Sequence, residues 1–226
     1  MGAALFVLSL SYFVYSYWTV FGVRADGPLR PPAVLWNVVL FSVFALHHSV
    51  CARERIRHAL TQALGPLERS FYVWLASLLF IAVCWLWQPL SGVIWDVGDA
   101  RVGGATRFIL LFLQIGGISF SVYSAAALDV WELAGIRQLK PAPPEAFEFK
   151  TTGPYGLVRH PIYFGWFLIV FAVGTMTMTR FVFAVVSCVY LLLAIPFEER
   201  SLRRSTNGAY DRYMQRVPRK LVPGLY

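Results

Sequence analysis

Gly153-Pro154-Tyr155-Gly156-Leu157-Val158-Arg159-His160-Pro161-Ile162-Tyr163-Phe164-Gly165-Trp166 places helix breakers, a fixed cation and an imidazole at the mouth of an apolar run that continues to Thr177. Pro154 and Gly156 make a turn, Arg159 and His160 follow, and Pro161 stands where a first helical turn tolerates a missing N–H. Arg159 and His160 therefore open a span at the depth where bilayer gives way to water. Unpaired N–H groups at a helix start, beside a cation and a titratable ring, suit an anionic ligand group. The competing reading is that Arg159 only snorkels to lipid headgroups.

Working outward, the chain has 226 residues, of which 58% are hydrophobic and 14% charged. That is too apolar for an ordinary soluble domain. Crossing about 30 Å of hydrocarbon takes roughly 20 helical residues. Stretches of that kind lie near residues 2–23, 33–52, 70–90, 105–128, 160–178 and 180–197. The expected fold is all-α, a polytopic membrane protein of about six transmembrane helices. The last two form a helical hairpin turning at Thr177 to Arg180, and a cytoplasmic C-terminal tail covers a cofactor. Residues 1–128 read as an N-terminal four-helix membrane part and 129–226 as the cofactor-binding catalytic part of one integrated domain. The first stretch lacks a basic leader and a small-residue cleavage site, so it reads as a retained span.

The net charge of +8 does not point to nucleic acid, because of where it sits. Residues 53–69, 137–159 and 200–220 hold fifteen of the twenty Lys and Arg, leaving Arg24, Arg30, Arg101, Arg107 and Arg180 for the other side. Such a bias puts both termini on the cytoplasmic side of a bacterial inner membrane, which six spans satisfy and five do not. Residues 53–66 read as a basic amphipathic helix on membrane lipids, ending at Gly65-Pro66. Gly116 and Gly117 allow a neighbouring helix to approach closely.

Cys51, Cys84 and Cys188 have no paired spacing and read as small hydrophobes, not a disulfide framework. His47 and Cys51 share a helix face, but no third or fourth ligand follows at metal-site spacing, so no metal is expected. Neither Gly-rich nucleotide loop pattern occurs, nor an alternation of strands and helices to carry one. Any nucleotide-like cofactor must then be held by another architecture.

Arg159 and His160 open the fifth span while Glu198 and Glu199 close the sixth, so a hairpin brings all four to one mouth. Carboxylates at a span end mark a polar cavity or the interface. A surface pair with Arg203 is a simple alternative account of Glu199, and Glu198 has none. Pro196 bends this helix, and after a break at Asn207-Gly208 the tail brings Tyr210, Tyr213 and Arg216. Cations for a carboxylate, acids for an ammonium and ribose hydroxyls, and aromatic faces for a sulfonium match the groups of S-adenosyl-L-methionine.

The motif Gly153, Tyr155, Arg159, His160, Pro161, Tyr163 and Gly165, with the Glu198-Glu199 pair and the Tyr210, Tyr213, Arg216-Val217-Pro218 tail, resembles the membrane methyltransferases that include isoprenylcysteine carboxyl and phospholipid methyltransferases. The front half is similar to bacterial methanethiol S-methyltransferases at His48-Ser49-Val50, Glu68 to Val73, Trp87 to Leu90, Ile94 to Val97 and Glu132 to Gln138. Where that family often has an aromatic residue before the tail glycine, this chain has Asn207. The resemblance implies methyl transfer from S-adenosyl-L-methionine to a small thiol, giving dimethyl sulfide from methanethiol. Tyr155, Arg159, His160, Pro161, Tyr163, Glu198, Glu199, Tyr210, Tyr213 and Arg216 are then cofactor-binding. A thiol must lose its proton, and His47, His48 or Asp129 are candidates to accept it, with Arg137 favouring the thiolate. A lipid or isoprenyl-cysteine acceptor stays open. So does a haem-binding protein using His47 or His48, related to proteins of denitrification or carotenoid isomerisation.

Overall fold

A computed structural model describes residues 2–51, 54–97, 103–128 and 151–224. The chain is mostly helical. Its helices are α1 (Gly2–Tyr15), α2 (Pro31–Cys51), α3 (Glu54–Leu64), α4 (Glu68–Leu86), α5 (Gly103–Ala127), α6 (Pro154–Leu157), α7 (Pro161–Phe171), α8 (Met178–Ser205) and α9 (Ala209–Arg216). Four of them, α2, α4, α5 and α8, are long and apolar enough to cross a membrane. It is an integral membrane protein on that evidence of length and composition. Residues 4–20 and α7 are apolar but shorter, and α7 at 11 residues spans only about 16 Å at 1.5 Å per residue.

The described chain divides into two compact units, one holding residues up to Asp96 and Thr175–Val186, the other the remainder from Val97 to Gly174 and from Ser187 onwards. The expected boundary after residue 128 falls against residues 129–150, which lie outside the described residues. In the first unit α4 packs against both α1 and α2. Phe183 is fully buried and touches the rings of Phe13, Tyr17, Phe21, Phe41 and Trp87, centroids 5.2 to 5.9 Å away. Asn37 makes two bonds to the main chain of Gln88, Nδ2 donating at 2.9 Å and Oδ1 accepting at 2.8 Å, which ties down the chain leaving α4.

Two expectations change here. The stretch after α7 is not a tight helical turn. Thr175–Thr177 is a strand, β2, paired antiparallel with β1 (Val93–Asp96), with an irregularity between Val93 and Trp95. Thr177 then caps α8, its hydroxyl accepting from Arg180 N at 3.2 Å. The first span is not one regular α-helix, since Ser16–Val20 winds as a π-helix with Phe21 N donating to Ser16 O at 2.8 Å. Arg180 adds a feature that the sequence does not show. It is buried, donating from Nε to Tyr17 O at 3.0 Å, from Nη2 to Trp18 O at 3.0 Å and from Nη1 to Thr175 O at 2.7 Å, with its guanidinium over the Tyr17 ring. The wide π turn departs from the α-helical ladder where these carbonyls lie, and Gly22 leaves room, since a Cβ there would collide with the guanidinium.

In the second unit α5 and α7 make a close helix pair. A Cβ on Gly117 would stand 2.8 Å from Gly165 O, and one on Gly165 would meet Ser121 Oγ. Of the two glycines expected to allow close approach, Gly117 meets the neighbour and Gly116 faces open space. Small residues here let the backbones touch, and Gln114 Nε2 donates to Ile169 O at 2.7 Å across the same seam.

Candidate functional site

The motif begins with a backbone shape that only glycine accommodates. Gly153, at φ 61 and ψ −138, precedes α6, whose first residue is Pro154, and the turn closes with Gly156 N donating to Gly153 O at 3.0 Å. His160 stands at the N-cap of α7 with Pro161 as its first residue, as the sequence predicts. Arg159 and His160 are thereby held side by side just before the helix.

Arg159 is almost wholly spent on its own chain. Its Nε donates to Glu199 Oε1 at 2.8 Å, and its Nη1 donates to Val217 O at 2.9 Å and Pro218 O at 2.7 Å. The main chain adds two more bonds, Arg159 N to Arg219 O at 3.0 Å and His160 N to Lys220 O at 2.9 Å. The tail after α9 is therefore strapped along residues 159–160. It is further seated by Tyr210, Tyr213 and Val217, which bury together against Leu202 and Met214. Tyr213 donates its hydroxyl to Tyr155 O at 2.8 Å.

Burial pushes the Tyr213 phenol up to about 12, against the pull of Arg159, and raises Tyr155 and Tyr210 well above the usual phenol range. These hydroxyls thus stay protonated at neutral pH.

The two carboxylates at the end of α8 divide the labour. Glu199 is buried, its side chain 10% exposed, and its Oε1 accepts from both Arg159 and His160, the latter through Nε2 at 3.2 Å. Glu198 is 46% exposed; its Oε2 accepts the Tyr163 hydroxyl at 2.9 Å and lies 3.7 Å from His160 Nδ1. The His160 and Tyr163 rings stack, with centroids 5.3 Å apart. The surface pair weighed for Glu199 does not form, because Arg203 Nε donates to Asp211 Oδ1 at 2.7 Å. Half-open carboxylate, phenol and stacked imidazole together make an anionic, aromatic edge that suits a cationic ligand group.

Among the other expected site residues, Arg216 is exposed in the last turn of α9. His47 and His48 belong to the first unit, where His48 Nδ1 pairs with the Tyr72 hydroxyl at 2.7 Å and the His47 ring stacks on Tyr72 at 5.8 Å. Asp129 and Arg137 lie outside the described residues. Sequence reasoning missed the carbonyls of Val217, Pro218, Arg219 and Lys220 as partners of the motif. A main-chain acceptor has no residue-type signature, and only the Val217-Pro218 of the tail motif hinted at that position.

No family model and no solved structure matches the chain. Among curated proteins it is similar to the methanethiol S-methyltransferase of Pseudomonas deceptionensis, at 34% identity over 204 residues, covering 88% of this chain and 76% of that protein. The methanethiol S-methyltransferase of Crocosphaera subtropica is 36% identical over 198 residues, with 84% and 75% covered. That of Mycobacterium tuberculosis is 33% identical over 228 residues, with 96% and 92% covered.

Proposed function

This chain belongs to the methanethiol S-methyltransferase family, and on that premise we propose that it moves a methyl group from S-adenosyl-L-methionine to methanethiol, releasing dimethyl sulfide. The observation that carries the donor half of the reading is the half-open Glu198 carboxylate beside Tyr163 and the stacked His160. An anionic, aromatic edge complements an ammonium, a ribose or a sulfonium. When bound, S-adenosyl-L-methionine supplies an activated methyl group open to in-line attack by sulfur.

In this reading Glu198, His160, Tyr163 and Tyr155 hold the donor, and exposed Arg216 offers a cation for its carboxylate. Pro161 starts the helix that aims His160 and Tyr163. Arg159, Glu199, Tyr210 and Tyr213 hold the tail in place, and so fix the frame in which Glu198 stands. Alignment is most of what the protein can add to a displacement at carbon, up to about 7–11 kcal/mol in favourable cases. His47, His48 or Asp129 takes the thiol proton, and Arg137 favours the thiolate. Both termini lie on the cytoplasmic side of a bacterial inner membrane, α1 and α7 complete six spans, and the tail covers the donor. The distribution of basic residues supports that orientation.

The test is a transfer assay on detergent-purified protein with methyl-labelled S-adenosyl-L-methionine and methanethiol, comparing wild type with Glu198→Gln. Labelled dimethyl sulfide from wild type, with at least a tenfold loss of kcat/KM in the variant, is expected. Donor binding with label appearing only in membrane lipid would replace the acceptor. Undiminished turnover in Glu198→Gln would remove the donor site from this edge.

A further inference from the structure

In the first unit, the end of α2 and the start of α4 bring His47, His48, Arg69 and Tyr72 into one cluster. Tyr72 is buried at its centre. The His47 ring lies against it nearly parallel, 5.8 Å between centroids and 18° between planes, and the Arg69 guanidinium sits 5.2 Å above the same ring. Within this cluster His48 is already engaged, its Nδ1 with the Tyr72 hydroxyl at 2.7 Å.

His47 is different. Both of its ring nitrogens are shut off from solvent and have no hydrogen-bond partner among the described residues, and the same holds for Nε of Arg69. A donor or acceptor withdrawn from water without a partner opposes folding. Three such atoms on two side chains flanking one phenol ring read as a place prepared for something that both accepts a hydrogen bond from a guanidinium and exchanges a proton with an imidazole. The other titratable groups around it on the two helices are Cys51, one turn beyond His47, and Glu68, at the start of α4.

We infer that His47, Arg69 and Tyr72 form the docking and deprotonation site for the acceptor thiol, an inference that rests on the proposed reaction and narrows its proton acceptor to His47. The S–H bond breaks with its electron pair left on sulfur. The proton passes to a ring nitrogen of His47, and Arg69 Nε–H donates to the resulting thiolate. The Tyr72 ring gives the small alkyl group and the soft sulfur an apolar, polarisable wall. A thiolate suits this cluster better than a phosphate, because it is weakly hydrated and is satisfied by few donors. His48 keeps Tyr72 in position and takes no proton from the thiol.

The experiment is calorimetric titration of methanethiol into the purified protein without methyl donor, for wild type, Arg69→Met, Arg69→Lys, His47→Asn and His48→Asn, with S-adenosyl-L-methionine titrated into each in parallel. Wild type is expected to bind the thiol. Arg69→Met and His47→Asn should weaken it at least tenfold, while Arg69→Lys restores part of the loss and His48→Asn changes it less than His47→Asn. Donor affinity within twofold of wild type shows that each variant is folded. Equal thiol affinity in wild type, Arg69→Met and His47→Asn overturns the inference, as does a wild type that binds donor but no thiol. Thiol binding lost in the variants with no methyl transfer in wild type would instead leave this site standing and remove the proposed reaction.

Discussion

Two buried arginines show how differently the two units use a cation. Arg180, in the first unit, is solvated by the main-chain oxygens of Tyr17, Trp18 and Thr175 and the face of Tyr17. Arg159, in the second, divides its donors between the Glu199 carboxylate and the carbonyls of Val217 and Pro218. The first arrangement stitches a π turn and the end of a strand to a helix and leaves no carboxylate in play. The second neutralises one of two adjacent acids and leaves its neighbour, Glu198, half open. A cation that consumes one member of an acid pair sorts the pair into a structural and a ligand-facing carboxylate, whereas a cation fed by carbonyls alone only builds the scaffold.

Breaking the comparison at its strongest point means Arg159→Leu. It strands Glu199 as a buried charge beside a tail that has lost its clamp, and a broken buried pair costs about 3–5 kcal/mol. Denaturant unfolding in detergent should register that loss, together with faster protease cutting after α9. A stability equal to wild type would mean that the pair does not hold the tail.

Arg180→Leu should come next. Three carbonyls lose a charged donor at once, an effect of about 3 kcal/mol given that hydrogen bonds to charged groups contribute about 1.5–3 kcal/mol each and do not add fully. The same unfolding measurement checks it. The sharper readout is donor affinity, expected to remain within twofold of wild type in folded Arg180→Leu; a tenfold loss there would erase the distinction between scaffold and site.

Glu198→Gln is expected to have the smallest effect on stability, under about 1 kcal/mol because the group is near half exposed and solvent screens it. Its melting temperature should hardly move while turnover falls. A large drop in melting temperature would place Glu198 with Glu199 as a structural acid.

How much of this was legible beforehand depends on the residue. Runs of apolar side chains declare spans, and His160-Pro161 declares a helix start, because both depend on local chemistry. The ribbon of Val93–Asp96 and Thr175–Thr177 did not declare itself, since three or four residues are too few for alternation to show against apolar flanks. The surroundings of Arg180 were hidden for a related reason. Charge at a span end is normally solvated, and nothing in the sequence says that Ser16–Val20 winds as a π-helix near it. Glu198 and Glu199 were both marked, with Glu199 as the one open to a surface explanation. The structure reverses that weighting, because side chains one residue apart on a helix diverge by about 100° and only the packing reveals which faces the motif.

By itself the amino-acid sequence determined that the chain is a helical membrane protein, where its basic residues gather, and that Arg159, His160, Glu198 and Glu199 belong together. These follow from composition and from spacing along the chain. The tertiary structure alone decided which acid is buried, that the tail is strapped to the motif through its carbonyls, and that His47 and Arg69 keep buried polar atoms without partners among the described residues. Main-chain acceptors look alike in every residue, and burial is a property of neighbours far away in sequence, so neither can be read until the chain has folded.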